Sequence, residues 1–576
     1  MNGYFADITK TLGVACEEDS TNLDTSSQDA LQTTVQRFQS HSSIAKIRAI
    51  VNSSQSFSFH QITVQEMFIH LTKLDPKKAT PQEAIPAKIL QANADLFSSP
   101  LTEIFNNLVV DCAFPDDLKL ADISSLYKKD DNMRKQNYRP ISLLPAVSKV
   151  FERIMYNQLF DYIGTFFSPL LGGFRKGYNT QHVLLNFLQK CKASLDNKEL
   201  AGAILMDLSK AFDCINHDLL IAKLAAYGLS WDALKLIKSY LSKRKQRVKI
   251  NSSYSSWRDV TIGVPQGSVL GPLLFNVFIN DIFFFVNNTN ICNYADDTTI
   301  YACNSNLNTI INRLEIDSAV LAKWFSENYM KLNEDKCHLM IFGNKCKDAV
   351  VTIGNSRIKE SDYEKLLGVT FDKKLSFTKH VEDLCKKANQ KLHALARLSN
   401  YTDPVKLKLL MDAFIKSQFN YCPLVWMFHD RTINNKVNKI RERALRIVCK
   451  DSGNDFVNNV NSSVTTHKRN LQLLMIEIFK TKNDLNPTFM KDIFAERDSY
   501  YSLRNVSHLQ LPKVRTTIYG TENIQYRGCL LWSSLPSFLK DCSTIQEFKR
   551  EIKQWNGDSC TCRLCRVFIK DLGFLD

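Results

Sequence analysis

NYADDTTI (Asn293–Ile300) places two carboxylates side by side, between an aromatic residue and a run of β-branched residues. Apolar and β-branched residues on both sides of a short polar centre are typical of two strands joined by a tight turn. We therefore expect Asp296 and Asp297 to lie at the turn of a β-hairpin. Adjacent like charges repel each other, so the pair is either solvated on a surface turn or shares a bound cation. For an isolated pair the surface turn is the default, because Asp is a common turn residue.

A second stretch, AGAILMDLSKAFDCINHD (Ala201–Asp218), supplies a third carboxylate. Its apolar start is typical of a short buried strand, and Asp207 follows that strand directly. If this strand and the hairpin are neighbours in one sheet, Asp207, Asp296 and Asp297 meet at one spot. Such a cluster offers the hard oxygen ligands that two Mg²⁺ ions need for nucleotidyl transfer. Asp213 precedes a helical segment, and helix capping or loop solvation explains it better than metal binding.

Composition narrows the class of protein. With 576 residues the chain exceeds the size of one hydrophobic core, so several structural units are expected. Lys and Arg number 74 against 59 Asp and Glu, and the net charge of +15 favours a polyanionic partner such as nucleic acid. The start, MNGYFADITK, lacks an apolar signal core, so the 16 cysteines are expected to be reduced in an intracellular protein. The most apolar run falls short of the ~20 residues of a membrane span.

Periodicity divides the chain into four ranges. Residues 1–60 are rich in Ser, Thr, Gln and Asn and are expected to form a linker or a mobile arm. Residues 61–378 mix helical and strand-like segments, whereas residues 379–452 are helical and basic. Residues 453–576 form a separate mixed region. The predicted fold class is α/β (α+β).

Five blocks of the sequence resemble, in their order, those of reverse transcriptases from non-LTR, LINE-type retrotransposons, on the jockey and chicken-repeat side of that group. The blocks are NYRPISLL (137–144), GGFRKGYNTQH (172–182), DLSKAFD (207–213), GVPQGSVLGPLLF (263–275) and NYADD (293–297). The resemblance implies a right-hand polymerase. Its fingers and palm, with a central antiparallel sheet, would occupy residues 61–378, a helical thumb residues 379–452, and a small mixed region the C-terminus. It also implies that the two adjacent carboxylates share metal ions.

The same resemblance implies the chemistry. Asp207, Asp296 and Asp297 match the catalytic carboxylates that bind two Mg²⁺ ions, with Mn²⁺ as an alternative ion. One ion would lower the pKa of the primer 3′-hydroxyl, and the other would neutralise the leaving pyrophosphate. The implied activity is that of an RNA-directed DNA polymerase, which extends a DNA primer on an RNA template with dNTPs.

Further residues match nucleotide-binding positions of the family. Phe212 matches the aromatic steric gate that excludes a 2′-hydroxyl, and a core phenylalanine is its alternative. Gln266 and Gly267 resemble the loop that supports template and nucleotide. Lys336 matches the palm lysine that protonates pyrophosphate, and LLGVTFD (366–372) resembles the hairpin that grips the primer strand.

Cations are expected on the fingers and along the nucleic acid. Arg139, with Lys128 or Lys129, resembles the fingertip cations that hold the incoming triphosphate, because a guanidinium fork suits phosphate oxygens. SKRKQRVK (242–249) and the thumb helices would follow phosphates without reading sequence. For the lysines and the charge run, a solvated surface is the alternative. The expected partners are RNA template, DNA primer and dNTPs, with the element's RNA in a ribonucleoprotein and no membrane; the expected location is the cytoplasm and nucleus.

CTCRLC, near the end of the chain, indicates a second kind of metal site. It offers the three thiols of Cys560, Cys562 and Cys565, whereas a tetrahedral structural zinc site needs four ligands. No Cys or His follows this motif, so the fourth ligand would come from elsewhere, with Cys529 and Cys542 as candidates. Reduced cysteines without a metal are the alternative.

Some features depart from the family pattern. KKATPQEAIPAKIL (77–90) lacks the usual glycine-and-acid pattern, and KKDD (128–131) lacks the glycine that commonly follows the lysines. Only a short segment precedes the polymerase blocks, so the nicking endonuclease of complete elements is expected to be missing. The alternative to an active enzyme is therefore a catalytically inactive remnant that still binds nucleic acid. An intron-maturase-like RNA chaperone with the same fold is a third alternative, but the residues of the five blocks are more similar to those of LINE-type elements.

Overall fold

The structure is a computed structural model of the chain. The residues it describes are 1–6, 28–51, 56–128, 130–343, 348–354, 356–428, 431–449, 465–497, 509–555, 557, 559–562 and 564–565. They fall into two compact units, each assembled from separate stretches of the chain. Unit 1 comprises residues 1–174, 207–287 and 319–334, and unit 2 comprises residues 175–206, 288–318 and 335–576.

Helices and strands are mixed throughout the described residues. The strands, in chain order, are β1 Leu120–Tyr127, β2 Tyr138–Leu143, β3 Leu200–Met206, β4 Arg244–Ile250, β5 Ser253–Tyr254, β6 Arg258–Val260, β7 Asn290–Tyr294, β8 Asp297–Asn304, β9 His338–Phe342, β10 Val350–Ile353, β11 Ser356–Lys359, β12 Tyr363–Leu366 and β13 Val369–Asp372. The α-helices are Asn2–Ala6, Gln28–Arg37, Ser42–Ile50, Val64–Thr72, Ala87–Ala92, Ala94–Asp111, Ala146–Ile163, Thr180–Asp196, His217–Ala226, Trp231–Leu241, Gly271–Ile279, Leu307–Glu327, Thr378–Leu398, Pro404–Phe414, Pro423–Trp426, Arg431–Cys449, Thr466–Lys482, Phe489–Ile493, Ile524–Ser533, Ser537–Lys540 and Ile545–Glu551. Short 3₁₀ turns are Asp116–Lys119, Lys135–Asn137, Gly164–Phe166, Ala211–Cys214, Asn280–Phe284, Glu334–Lys336, Lys416–Phe419 and Ile552–Gln554, and Thr517–Thr521 is a π-helical turn.

Unit 1 contains a five-stranded sheet in the order β2-β1-β4-β5, with β6 also paired to β4. The β1–β4 pair is parallel, and the other pairs are antiparallel. A fully buried ion pair lies elsewhere in this unit: Lys223 Nζ lies 2.6 Å from Asp281 Oδ1, and the other carboxylate oxygen accepts a hydrogen bond of 2.8 Å from Trp324 Nε1. Each charge has a partner, and this offsets part of the cost of burying it.

Unit 2 contains a four-stranded sheet in the order β7-β8-β3-β9, and every pair in it is antiparallel. Its strands are largely buried. The helix Leu307–Glu327 packs so closely on β3 that a Cβ at Gly202 would lie 2.5 Å from Ile310 Cγ2. A residue without a side chain is therefore required there by the approach of the helix.

The C-terminal half of unit 2 is helical where the basic pattern predicted helices. Four helices run from Thr378 to Cys449, and the β12–β13 hairpin precedes them. The hairpin is tied to them at two points. The Tyr421 hydroxyl donates to Leu367 O over 2.6 Å, and the Asp372 carboxylate accepts a hydrogen bond of 2.7 Å from Phe377 N, just before the first helix.

The expectation of a linker is wrong for part of the N-terminal segment. Gln28–Arg37 and Ser42–Ile50 are helices, and Ile47 has no exposed surface. The Ser42 hydroxyl donates a hydrogen bond of 2.7 Å to the Glu327 carboxylate, far away in the sequence. Contacts of this kind stabilise helices whose Ser- and Thr-rich sequences have weak periodicity. Among the described helices, none combines the length and the apolar character that crossing a bilayer requires.

Candidate active site

The adjacent carboxylates lie on a hairpin turn, as the sequence predicted. Tyr294 at the end of β7 pairs with Asp297 at the start of β8, so Ala295 and Asp296 form a two-residue turn. Ala295 has a φ of +56°, because a two-residue turn that matches the twist of the strands needs a positive φ at its first position. Both aspartates are exposed. The turn thus presents two carboxylates to solvent at the end of the sheet.

The strand that leads to the third carboxylate is the neighbour of this hairpin. Met206, the last residue of β3, pairs with Thr298, the residue after Asp297. Asp207 is bonded to Met206 and follows it directly in the chain. Its main-chain carbonyl accepts a hydrogen bond of 2.9 Å from Asn333 N. The predicted adjacency of strand and hairpin in one sheet is therefore confirmed.

The buried side chain of Asn293 stabilises the hairpin turn. The side-chain amide of Asn293 donates to Ala295 O over 2.9 Å and to Thr298 Oγ1 over 3.1 Å. Burial, with a smaller contribution from the Asp297 charge, raises the pKa of Cys292 to about 12. This thiol is therefore neutral at working pH, and the donors that the turn offers to solvent are carboxylate oxygens.

Phe212 lies in an aromatic cluster of unit 1. Its ring stacks on Phe275 with centroids 4.4 Å apart and an interplanar angle of 9°, and meets Phe174 edge-on at 5.7 Å. The main chain of Phe212 accepts a hydrogen bond of 3.1 Å from Val264 N. The residue is only partly buried. It is thus a ring held rigidly by two others, with part of its surface in solvent.

Asp213 has a role that sequence reasoning missed. Its Oδ1 accepts a hydrogen bond of 2.7 Å from Gln266 Nε2, and its Oδ2 is buried with no hydrogen-bond partner among the described residues. Burial raises the pKa of Asp213 to about 6. The expectation of a helix cap is wrong, because Asn216 caps the helix His217–Ala226 by accepting from Leu219 N. Asp213 instead orients the side chain of Gln266.

The loop that carries Gln266 is pressed against neighbouring main chain. Ser142 N donates a hydrogen bond of 2.7 Å to Gln266 O. Gly267 has a φ of +130°, and a Cβ there would lie 2.5 Å from Ser142 O. At Gly263, where φ is +82°, a Cβ would lie 2.9 Å from the main chain of Asp213. Both glycines are required by close main-chain approach, as the loop's composition indicated.

Three cations gather near the β1–β2 hairpin. Arg139 lies on β2, and Lys128 follows β1 with its main-chain N–H donating to Asn137 O over 2.9 Å. Both side chains are exposed. Burial lowers the pKa of Lys210; the charge of Asp213 raises it, and the charges of Lys128 and Arg139 lower it. Arg139 pairs with Leu126, two residues before Lys128, so both cations lie at the same end of the hairpin. Lys129, the alternative to Lys128, lies outside the described residues. Lys210 was not singled out from the sequence.

Lys336 lies at the end of the 3₁₀ turn that precedes β9, and it is exposed. Its position in the sheet is fixed by the strand that follows, because His338 at the start of β9 pairs with Leu205 of β3. Lys336 therefore lies beyond the end of β3 that is followed by Asp207.

The thiols of the CTCRLC motif meet a histidine. The ligand atoms of Cys560, Cys562, Cys565 and His467 all lie within 4.8 Å of one another. Neither cysteine proposed as a fourth ligand joins this group: Cys529 Sγ donates to Gln510 O, and Cys542 Sγ donates to Phe538 O. That part of the prediction is wrong. A histidine at the start of a distant helix has no local signal that connects it with a cysteine motif.

Comparisons with known proteins agree with the blocks in the sequence. Residues 127–371 match the profile of the family described as reverse transcriptase (RNA-dependent DNA polymerase). The chain is 28% identical over 341 residues to the RNA-directed DNA polymerase from mobile element jockey of Drosophila melanogaster, a match that covers 57% of this chain and 37% of that protein. It is 27% identical over 418 residues to the probable RNA-directed DNA polymerase from transposon BS of the same organism, covering 68% and 45%. It is 31% identical over 300 residues to the probable RNA-directed DNA polymerase from transposon X-element of Drosophila melanogaster, a match that covers 49% of this chain and 32% of that protein. The chain thus spans less than half the length of these curated relatives.

Proposed function

We propose that this chain is an RNA-directed DNA polymerase that extends a DNA primer on an RNA template, because residues 127–371 match the reverse transcriptase profile and the chain is similar to the RNA-directed DNA polymerases of transposons. The proposal includes two-metal nucleotidyl transfer, dNTPs as substrates and the element's own RNA as template, held in a ribonucleoprotein. It also includes the right-hand arrangement of fingers, palm and thumb, and action in the cytoplasm and nucleus.

The observation that carries the proposal is the register of the four-stranded sheet. Met206 pairs with Thr298, so Asp207 leaves β3 next to the turn that holds Asp296 and Asp297. We infer that the three carboxylates converge at this end of the sheet. A metal pair needs its ligands within a few ångströms, and neighbouring strands lie only ~5 Å apart.

The residues present fit divalent magnesium. The turn offers exposed carboxylate oxygens, which are the hard donors that Mg²⁺ prefers. The nearby thiol of Cys292 is buried and neutral, so it does not add a soft donor. When bound, two Mg²⁺ ions activate the primer 3′-hydroxyl and neutralise the leaving pyrophosphate. The part of this chain is to hold them through Asp207, Asp296 and Asp297.

Other residues are proposed to hold and select the nucleotide. The stacked ring of Phe212 is rigid and partly exposed, as a group that excludes a 2′-hydroxyl must be. Arg139 and Lys128 are exposed at the same end of the β1–β2 hairpin, where two positive charges suit a triphosphate. Gln266 is held in one orientation by Asp213 and supports the template and nucleotide.

The helices after β13 are proposed to grip the nucleic acid. Thr378–Leu398 and Arg431–Cys449 are linked by a 2.9 Å ion pair between Lys436 and Glu382. Exposed basic residues lie along both helices at helical spacing, among them Lys387, Lys391, Lys439, Arg443 and Arg446. Contacts of such side chains with phosphates give affinity without sequence specificity.

Primer extension tests the proposal. The purified chain is given an RNA template, an annealed DNA primer, dNTPs and Mg²⁺, and RNA binding is measured in parallel. We expect extension by the unmodified chain and a loss of at least about 1,000-fold in Asp296→Asn, because the ion loses a charged ligand. Asp541→Asn removes an exposed carboxylate elsewhere in unit 2 and serves as the matched control, with no expected change.

The measurement also separates the two functions left open by the sequence. RNA binding without extension by the unmodified chain would contradict the proposal and support a remnant that only binds nucleic acid. Extension that survives Asp296→Asn unchanged would contradict the assignment of the carboxylates.

A further inference from the structure

The C-terminal segment runs along one face of the helix Thr466–Lys482. Gln472 Nε2 donates to Trp555 O over 2.9 Å, and a Cβ at Gly557 would lie 3.0 Å from Leu471 Cδ1. His467 is on the same face, one turn before Leu471. Cys562 Sγ lies 3.2 Å from His467 Nε2. The segment therefore reaches the first turn of the helix, where its cysteines meet the histidine.

The main chain folds the CTCRLC motif into two short turns. Cys560 N donates a hydrogen bond of 3.0 Å to Gly557 O, and Cys565 N donates one of 3.0 Å to Cys562 O. Gly557 supplies the positive φ, +70°, that the first turn needs. A turn across C-x₂-C brings two thiols to the same side of the chain, which is the local geometry of structural zinc sites.

The distances suit a tetrahedral ion. Zn–S bonds of ~2.3 Å and Zn–N bonds of ~2.0 Å separate the ligand atoms of a tetrahedron by ~3.5–3.8 Å. The four ligand atoms of this cluster all lie within 4.8 Å of one another. All four cysteine and histidine atoms can therefore reach one ion with shifts of about 1 Å or less. The cysteines are free thiols, so a disulfide does not explain their convergence.

Burial makes the cluster costly without a ligand. Cys560, Cys562 and His467 are buried, and His467 Nδ1 has no hydrogen-bond partner among the described residues. The other ring nitrogen lies 3.2 Å from the Cys562 thiol, which is a weak hydrogen-bond partner. Buried polar groups are normally paired, so this imidazole lacks an expected interaction.

A cation lies beside the cluster. Arg527 is buried, donates a hydrogen bond of 2.9 Å to Thr561 Oγ1, and pairs with Glu522. Arg527 is already neutralised by Glu522, so its contribution is the hydrogen bond that fixes Thr561 between Cys560 and Cys562. The surroundings of the cluster therefore hold the motif in place.

We propose that His467, Cys560, Cys562 and Cys565 bind one zinc ion, which fastens the C-terminal segment to the helix Thr466–Lys482. Three sulfur ligands and one nitrogen ligand fill the tetrahedron, so the site has no open position for a substrate and is structural. The soft donors select zinc over magnesium. This site is independent of the proposed polymerase activity.

Metal analysis of the full chain tests the proposal. We expect about one zinc per chain after gel filtration. His467→Ala and Cys562→Ser should each lower the zinc content at least about tenfold, because each removes one of the four ligands that close the tetrahedral site. Cys529→Ser is the matched control: this buried thiol donates to Gln510 O, a hydroxyl can do the same, and the zinc content should not change.

A ligand exchange keeps the proposal falsifiable if a variant folds poorly. Co²⁺ added to the metal-free chain should give the absorption of a tetrahedral site with three thiolates and one imidazole. His467→Cys should retain the ion and shift that absorption toward four thiolates. A folded chain that holds no zinc and gives no tetrahedral cobalt spectrum overturns the proposal. So does loss of zinc in Cys529→Ser together with its retention in His467→Ala. None of these readouts depends on primer extension.

Discussion

The two regions that we propose to bind metal ions gather their side chains in opposite ways. The β7–β8 turn exposes Asp296 and Asp297 to solvent, whereas the C-terminal cluster buries Cys560 and Cys562 against a helix. Oxygen donors in water hold an ion loosely enough for a substrate to share it. Buried sulfur donors enclose an ion and stabilise the surrounding fold. The comparison teaches that exposure and donor type together separate a site for chemistry from a site for structure.

Chelation should affect the two regions differently, and this is the largest expected effect. Brief treatment with EDTA should abolish primer extension, because the open site exchanges its ions with solvent. Added Mg²⁺ should restore extension fully, while the zinc content stays near one per chain throughout. Extension and zinc content are measured on the same samples. Extension that recovers only after zinc is added would contradict the division between the two sites.

For the free energy of unfolding, the C-terminal cluster should matter more than the carboxylate pair. Cys562→Ser should lower the free energy of unfolding by several kcal/mol, because a structural metal contributes its binding energy to folding. Asp296→Asn replaces an exposed side chain and should change it by no more than about 0.5 kcal/mol. Both are measured by urea denaturation, with fluorescence as the readout. A carboxylate variant that destabilises the chain as much as the cysteine variant would contradict the comparison.

Phe212 tests whether the open site is also selective. Phe212→Ala removes the ring that stacks on Phe275, so a 2′-hydroxyl should be admitted. We expect the preference for dNTPs over rNTPs to decrease by about 100-fold, with smaller effects on dNTP incorporation alone. Single-nucleotide incorporation with each substrate measures this ratio. Phe275→Leu keeps an apolar support under the ring and should change the ratio far less.

The smallest expected effect is on the pH dependence of stability, and it concerns the buried carboxylate of Asp213 rather than the exposed pair. Its folded-state pKa is raised to about 6 by burial, so stability is lost as the pH rises through that value. Asp213→Asn keeps the acceptor for Gln266 and removes the charge. As the pH rises from 5 to 8, the free energy of unfolding of Asp213→Asn should increase by about 1 kcal/mol relative to that of the parent, because only the parent must bury a charge at the higher pH. A difference in unfolding free energy that does not change with pH would contradict the buried state of this group.

Local patterns predicted the elements that carry the candidate site residues. The hairpin, the strand before Asp207 and the glycine loop each depend on a short contiguous stretch, in which residue order fixes the local conformation. The pairing of the strand with the hairpin was a condition of the argument from the sequence, and the register of β3 and β8 meets it. What could not be predicted depends on distant contacts: His467 joins the cysteines through tertiary packing, and Asp213 orients Gln266 across a loop.

One departure from the family pattern, in the segment 77–90, makes contacts of its own. Glu83 forms an ion pair of 3.1 Å with Arg247 of β4, and Gln82 accepts a hydrogen bond of 2.6 Å from the Tyr254 hydroxyl of β5. These residues therefore tie their segment to the five-stranded sheet. The sequence alone could not distinguish such a structural substitution from loss of function, because both partners lie far away in the chain.

The convergence of the three carboxylates is the central claim, and iron-directed cleavage tests it most directly. Fe²⁺ takes the place of Mg²⁺, and with ascorbate and peroxide it cuts the main chain close to where it is bound. We predict cuts beside both Asp207 and Asp296, suppressed together by excess Mg²⁺ and lost together in Asp296→Asn. Cuts at only one of the two positions, or cuts beside Asp207 that persist in Asp296→Asn, would contradict the account.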